Sequence, residues 1–270
     1  MGIPFESSRP ESPLSVRRRK EIASLSRRKD RDRLGQLLIE GVRSVEAAVA
    51  AQAPLVEVLV TPTAQALPRV ATLLQQVAVP IHCLAEADLA RVSDVEASAG
   101  VLAVARIQRF PTDLLPTLHT LLALDGVQDP GNVGALLRVA AWFGLDAVLA
   151  GPGTADFFNP KVVRAAMGGL WDVHLATTDD LPGTLAHLRQ HGWTVYGADL
   201  HGTAVQDWHP ARPAVLVLGS EAHGLHPNVQ ACLDERVSIP GDPRRQGAES
   251  LNVAVAAGVL VQAWQQETLR

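Results

Sequence analysis

The sequence predicts an α/β protein: a parallel sheet with helices on both faces, preceded by a smaller α/β unit. Three observations predict it. Short apolar runs alternate with stretches of helical periodicity along most of the chain. Runs such as Val215-Leu216-Val217-Leu218 are continuously apolar, as strands covered on both faces are. A proline-bearing stretch, 110–119, interrupts the alternation and reads as a linker, and 270 residues leave room for one or two domains.

The elements follow in order. Residues 1–14 are rich in Pro, Ser and Glu and read as a disordered tail. Ser15 to Lys29 reads as one basic helix with Ile22 and Leu25 as its apolar contacts. Leu37-Leu38-Ile39 is a short strand, and Gly41 to Ala51 is a helix because Val42, Val45, Ala48 and Val49 share a face. Strands at 56–60, 80–83 and 101–107 and helices at 67–76 and 86–92 complete a first domain, 15–109. The second, 120–270, has candidate strands at 121–125, 147–150, 173–176, 194–198, 214–218 and 236–239, and a long last helix from Leu251 to about Glu267. In such sheets ligands lie at the carboxyl ends of the strands.

Composition narrows the function classes. No apolar run reaches a membrane span, and the basic, polar N-terminus has no apolar core of a secretory signal. Two cysteines, Cys83 and Cys232, make no disulfide framework, so a reducing cytoplasm is expected. The net charge of -4 is uneven: residues 1–35 hold ten Lys/Arg against five Asp/Glu. A basic segment on an acidic body tracks a phosphate backbone or is simply a solvated tail. No metal site is expected: His223, His226 and Cys232 lack any recognised ligand spacing. The chain also lacks a phosphate-binding loop and the dinucleotide glycine fingerprint.

Three separated segments carry polar groups or glycines where strands turn into helices: Asn132-x-Gly134-x-x-x-Arg138, Gly219-Ser220-Glu221-x-x-Gly224-Leu225 and Ser250-Leu251-Asn252. In the first, Val133, Leu136, Leu137, Ala140 and Phe143 form the core stripe and Arg138 lies off it. A guanidinium there grips a phosphate through two donors or makes a surface ion pair. Gly134, one turn earlier, leaves room over the same face. Gly219 permits close approach of a flat ligand such as adenine, or marks a plain turn capped by Ser220. Glu221 orients Arg138 or a helix N-terminus. Ser250 reads as the N-cap of the last helix, and Asn252, a poor helix former in an apolar start, calls for a partner. Asn159-Pro160 opens another helix, with Asn159 as cap and Lys161 and Arg164 in reach of RNA phosphates.

Together these segments resemble the SpoU (TrmH-like) family of RNA 2'-O-ribose methyltransferases, in the SPOUT superfamily. The likeness spans about residues 120–266. Residues of about 15–107, with Leu34-Gly35 and Ile39-Glu40-Gly41, are similar to the L30e-like RNA-binding domain that many members carry. The resemblance implies a C-terminal trefoil knot, a homodimer and S-adenosylmethionine as cofactor. By motif, Leu218, Gly219, Ile239 and Leu251 would contact the cofactor, and Asn132, Arg138, Glu221, Ser250 and Asn252 would line the catalytic site. Arg17, Arg18, Arg19, Lys20, Arg27 and Arg28 would join Lys161 and Arg164 on RNA. The N-terminal domain favours ribosomal over transfer RNA. A non-catalytic RNA-binding or ribosome-assembly protein on the same fold is the alternative. Two departures stand out: Ala166 replaces a serine common in relatives, and the loop between Ile239 and Ser250 is longer than in some members.

Overall fold

The structure, a computed structural model, describes residues 14–93, 99–244, 246–247 and 249–267. The chain divides into two compact units, with the division between Ile107 and Gln108. Most of the expected tail, 1–14, lies outside the described residues; Leu14 itself is buried in the first unit's core.

Among the described residues the first unit has ten elements. They are α1 (Val16–Ser24), α2 (Arg28–Leu34), β1 (Gln36–Glu40), α3 (Val42–Ala50), β2 (Leu55–Val60), α4 (Pro62–Gln65), α5 (Pro68–Gln76), β3 (Ile81–Cys83) and α6 (Glu86–Ala90), and β4 (Val101–Arg106) then closes the sheet. The strand order is β1-β4-β2-β3. β4 runs antiparallel to both β1 and β2, while β2 and β3 are parallel. Ile22, Leu25, Leu38, Leu59, Leu102 and Val104 are its fully buried centre.

The single basic helix expected over 15–29 is two helices. The break follows from Arg31, which is buried and donates from Nη1 to the carbonyls of Leu25 and Ser26, both at 2.8 Å. Those carbonyls have left the helical ladder and would otherwise be unsatisfied. Gly35, at φ +62°, then ends α2 in the left-handed conformation that glycine adopts freely.

The second unit carries β5 (Thr120–Asp125), α7 (Pro130–Trp142), β6 (Ala147–Ala150), α8 (Pro160–Ala166), β7 (His174–Thr177), α9 (Leu181–Gln190), β8 (Thr194–Ala204), β9 (Ala214–Gly219), α10 (Pro227–Gln230), β10 (Glu235–Ser238) and α11 (Val253–Glu267). The stretch expected as a linker is partly ordered here: residues 112–117 form a 3-10 turn, and Phe110 N–H donates to the Leu175 carbonyl at 2.7 Å. All six strands are parallel, in the order β10-β8-β9-β5-β6-β7. Alternate residues point to opposite faces. Leu121, Ala123, Leu149, Val215 and Val217 meet Leu181, Leu185 and Leu188 of α9 and Val229 of α10 on one face. α7 and α11, which contact each other, pack on β6 and β9. β8 is longer than expected because it pairs with β10 twice, through Tyr196–Gly197 and again through Thr203–Ala204, with an excursion between.

The chain leaves β5 toward β6 and β7 on one side, and β9, β8 and β10 fill the other. The β5–β9 boundary is therefore the switch point, where a crevice opens at the carboxyl ends of an open parallel sheet.

Candidate active site

Both strands at the switch point end in residues of the sequence motifs. After β5, Asp129 caps α7: its Oδ1 accepts the Asn132 amide at 2.8 Å, and Pro130 takes the first helical position. This fixes Asn132 in the first turn of α7. The helix stripe is as expected, with Val133, Leu136, Leu137 and Ala140 buried, Phe143 half-buried and Arg138 exposed.

After β9 the chain makes a tight reversal. Ser220 and Gly224 exchange two backbone hydrogen bonds, at 3.0 and 2.9 Å, and Ser220 Oγ accepts the His223 amide at 3.2 Å. The returning backbone passes directly over Gly219. A Cβ there would lie 2.2 Å from the Gly224 carbonyl carbon and 2.4 Å from the Leu225 nitrogen. The close approach expected of a ligand at Gly219 is thus made by the chain itself. The reversal projects Glu221, whose Oε1 accepts Asn132 Nδ2 at 2.6 Å. Of the two roles expected for Glu221, the structure shows the one at a helix N-terminus, where a carboxylate is favoured by the helix dipole.

The third motif arrives from the far side of β10. The last helix starts at Val253, not Leu251, and its cap is Asn252 rather than Ser250. Asn252 Oδ1 accepts the amides of Ala254 at 2.9 Å and Val255 at 3.3 Å. Its Nδ2 donates to Asn132 Oδ1 at 2.9 Å. The residue that reads as misplaced in a helix is therefore a cap with a second bond to make. Ser250 is exposed and makes no side-chain hydrogen bond to a described residue.

Asn132 is the centre of this cluster, and its amide orientation is fixed by its partners. The nitrogen faces a carboxylate that only accepts, and the oxygen faces an amide nitrogen that only donates. Of the residues expected at the cofactor, Leu218 and Gly219 end β9 opposite Leu124 and Asp125; Leu218 is buried, Gly219 and Ile239 are half-buried, and Leu251 is 50% exposed. Arg138 does not join the cluster within one chain. Six residues of helix place it about 9 Å further along α7 and on another side of it, and its side chain bonds to no described residue. Gly134 serves helix packing rather than Arg138: a Cβ would lie 2.4 Å from Ala165 Cβ and 2.8 Å from the Val162 carbonyl on α8.

The basic residues divide sharply. Asn159 caps α8, accepting the Lys161 amide at 2.9 Å; Lys161 is exposed and Arg164 half-buried. In the first unit Arg18 is turned inward to Glu57 at 2.6 Å, Glu21 at 3.1 Å and Gln36 at 2.8 Å. Arg19 pairs with Asp88 at 2.9 Å. Arg17, Lys20, Arg27 and Arg28 are exposed. Sequence reasoning did not separate these two sets, because the inward partners Glu57 and Asp88 are far along the chain. Among the described residues no group of three His, Cys, Asp or Glu side chains is placed to hold a metal ion, and no helix is long and apolar enough to cross a membrane.

Comparison with known proteins identifies the family. The SpoU rRNA Methylase family model matches residues 119–262, and the MRM3-like substrate binding domain model matches residues 17–103. The chain is 33% identical over 243 residues to the 23S rRNA (guanosine(2553)-2'-O)-methyltransferase RlmP of Bacillus subtilis, covering 90% of this chain and 93% of that one. A solved structure of a putative RNA methyltransferase of the TrmH family from Porphyromonas gingivalis superposes with a TM-score of 0.82 at 35% identity, covering 94% of this chain and 99% of that one. The SpoU methyltransferase AviRb from Streptomyces viridochromogenes, solved with its cofactor AdoMet, superposes with a TM-score of 0.83 at 26% identity, covering 94% and 98%. The chain belongs to the SpoU rRNA methylase family.

Proposed function

We propose that this chain is an S-adenosylmethionine-dependent methyltransferase that methylates a ribose 2'-hydroxyl in RNA, with ribosomal RNA as the substrate. The observation that carries the reading is the Asn132 amide, held between Glu221 and Asn252 at the β5–β9 switch point. Family membership and the likeness to RlmP and AviRb support the reaction and the cofactor.

The residues present fit the cofactor. Leu251 is 50% exposed and Ile239 half-buried, and β9 ends at Leu218 and Gly219, so apolar side chains and a bare backbone are offered to a flat ligand. These four would hold S-adenosylmethionine, which supplies an electrophilic methyl group when bound. Asn132, Glu221 and Asn252 form one fixed array of polar groups, and with Ser250 they orient the sugar. Preorganised dipoles of this kind require no rearrangement as charge develops. Arg138 presents a planar guanidinium with two donors side by side. Its part is to hold an RNA phosphate and to stabilise negative charge as it develops on the ribose oxygen.

A homodimer completes the reading. Trp142 is 82% exposed at the end of α7, and Val255 and Val259 are exposed on α11, which packs beside it. Large apolar side chains at this density mark an interface. Arg138 lies one helical turn before Trp142 on the same side of α7, so a dimer that buries Trp142 brings Arg138 to the interface. The reading also includes an L30e-like RNA-binding first domain, in keeping with its mixed four-stranded sheet. It further includes a C-terminal trefoil knot, in keeping with the return of Asn252 to Asn132. A cytoplasmic setting suits a chain whose two cysteines, Cys83 and Cys232, make no disulfide framework.

The test is methyl transfer from labelled S-adenosylmethionine to separate pools of ribosomal and transfer RNA, beside Arg138→Ala. Label in ribosomal RNA, reduced at least ~100-fold by the substitution, is the expected result. Label in transfer RNA alone would keep the chemistry and overturn the substrate. No label in either pool would overturn the enzyme.

A further inference from the structure

The first unit contains a groove that the family likeness does not describe at the level of residues. Between α1 and α2 lies an open groove of about 540 Å³, lined by Val16, Arg17, Lys20, Glu21, Ser24, Arg27, Asp30 and Arg33. Four of its side chains are cations and two are carboxylates.

The arrangement of the six charges is specific. Asp30 is shared by two guanidiniums, accepting Arg27 Nε at 2.8 Å and Arg33 Nη2 at 2.9 Å. Glu21 is likewise shared by Arg17 at 3.2 Å and Arg18 at 3.1 Å. Asp30 is outnumbered by its two guanidiniums, so it fixes Arg27 and Arg33 in place without neutralising both, whereas the Arg18 that Glu21 holds is also paired with Glu57. The hydrogen bond from Arg33, helped by Arg27, holds the Asp30 carboxyl below the usual range, so it stays ionised and keeps that grip. The bonds to Asp30 leave the two terminal nitrogens of Arg27 and one of Arg33 free of it. Lys20 adds an exposed ammonium that bonds to no described residue. Arg18 and Arg31 are oriented away by Glu57 and by the carbonyls of Leu25 and Ser26, so the helix break that creates α2 also separates structural from outward arginines.

We propose that this α1–α2 groove is a phosphate-backbone seat for the RNA substrate, gripping about two phosphates through Lys20, Arg27, Arg33 and Arg17. The proposal rests on the RNA methyltransferase reading and adds which cations of the basic segment touch RNA. It places Arg33 among them and excludes Arg18. The chemistry fits because a guanidinium pre-set by a carboxylate loses less side-chain freedom on meeting a phosphate, and its planar donors match phosphate oxygens. Such a seat sets position and affinity and reads no sequence.

The test compares two double variants of the full chain with the same change in net charge. Lys20→Ala/Arg33→Ala empties the groove of two cations. Arg69→Ala/Arg91→Ala removes two exposed arginines elsewhere on the first unit, paired to Glu46 and Asp88. Affinity for a fluorescent ribosomal RNA fragment is measured by anisotropy across a salt series, with the melting curve as a control for folding. The groove variant should lose about tenfold or more in affinity and flatten the plot of log K against log salt by about 1.4, two single-strand phosphate contacts. The control should stay near wild type. Equal losses in both would show a diffuse charge effect, and no loss in the groove variant would remove the seat; either overturns the proposal. Methyl transfer by the wild type is scored separately. RNA affinity that depends on the groove without any transfer would overturn the enzyme reading and leave the seat, whereas transfer with groove-independent affinity would do the reverse.

Discussion

Asn252 donates its side-chain amide to Asn132 at 2.9 Å across 120 residues of chain, while its oxygen caps the last helix. One side chain thereby ties α11 to the first turn of α7, and its two ends have separable jobs.

That separation is testable. Asn252→Asp keeps an oxygen for the amides of Ala254 and Val255 but has no proton to give Asn132, and it adds a charge beside a cluster that already holds Glu221. Its melting temperature should stay close to wild type while methyl transfer falls by ~100-fold or more. Asn252→Ala loses the cap as well and should be destabilised by about 1 kcal/mol. Wild-type turnover in Asn252→Asp would show that the donated bond has no part in the reaction.

Gly219→Ala should be costly in a way that reports on the reversal after β9. Its methyl would meet the backbone of Gly224 and Leu225, which has no rotamer through which to escape. Overpacking of this kind costs about 1–3 kcal/mol. Calorimetry should show the second unit melting lower by roughly 2–12 °C. Because Glu221 rides on the same reversal, methyl transfer should fall together with stability. An unchanged melting temperature would mean that the reversal yields easily.

Trp142→Glu places a charge on the most exposed of the large apolar side chains. Sedimentation velocity should show a dimer for the wild type and a monomer for the variant. If α7 and α11 form the dimer face, activity falls as the dimer is lost and partly returns at high protein concentration. A dimeric Trp142→Glu would move the interface elsewhere.

Stability should fall at high pH through Tyr196. Burial pushes its hydroxyl above its ordinary value, with Glu235 and Asp234 adding to the shift, even though the hydroxyl oxygen accepts the Ala211 amide at 2.8 Å. A raised folded value means the stabilisation is complete below pH ~10, where the unfolded tyrosine titrates, and is lost as pH rises through the folded value. Denaturant midpoints measured from pH 8 upward should decline for wild type and decline less for Tyr196→Phe. Parallel curves would assign the alkaline loss to other groups.

Much of the second unit was legible because its strands are continuous apolar runs between helical stretches. Ala147–Ala150 lies where expected, and the other strands shift by a residue or so, apart from β8. β8 was cut short at residue 198 because its excursion includes Asp199 and His201, whose polar side chains break the apolar run. The helix over 15–29 was drawn too long because charge periodicity does not show that Arg31 turns inward. At the site, residue types were readable and relationships were not. Asn252 stood out as a poor helix former, but its bond to Asn132 depends on sheet order. The Gly219 signal was read as the approach of a flat ligand or a plain turn, and nothing local says that the chain's own Gly224 backbone lies over it.

The measurement that bears most directly on the central claim is the chemical position of the methyl group. Ribosomal RNA labelled by the wild-type protein is hydrolysed with alkali, which cleaves after every nucleotide with a free 2'-hydroxyl. The account predicts that the label survives in an alkali-resistant dinucleotide, and that Asn132→Asp, which sets a second carboxylate against Glu221, abolishes it. Label recovered in a single nucleotide, on the base, would contradict the assignment of the Asn132–Glu221–Asn252 cluster to a ribose hydroxyl.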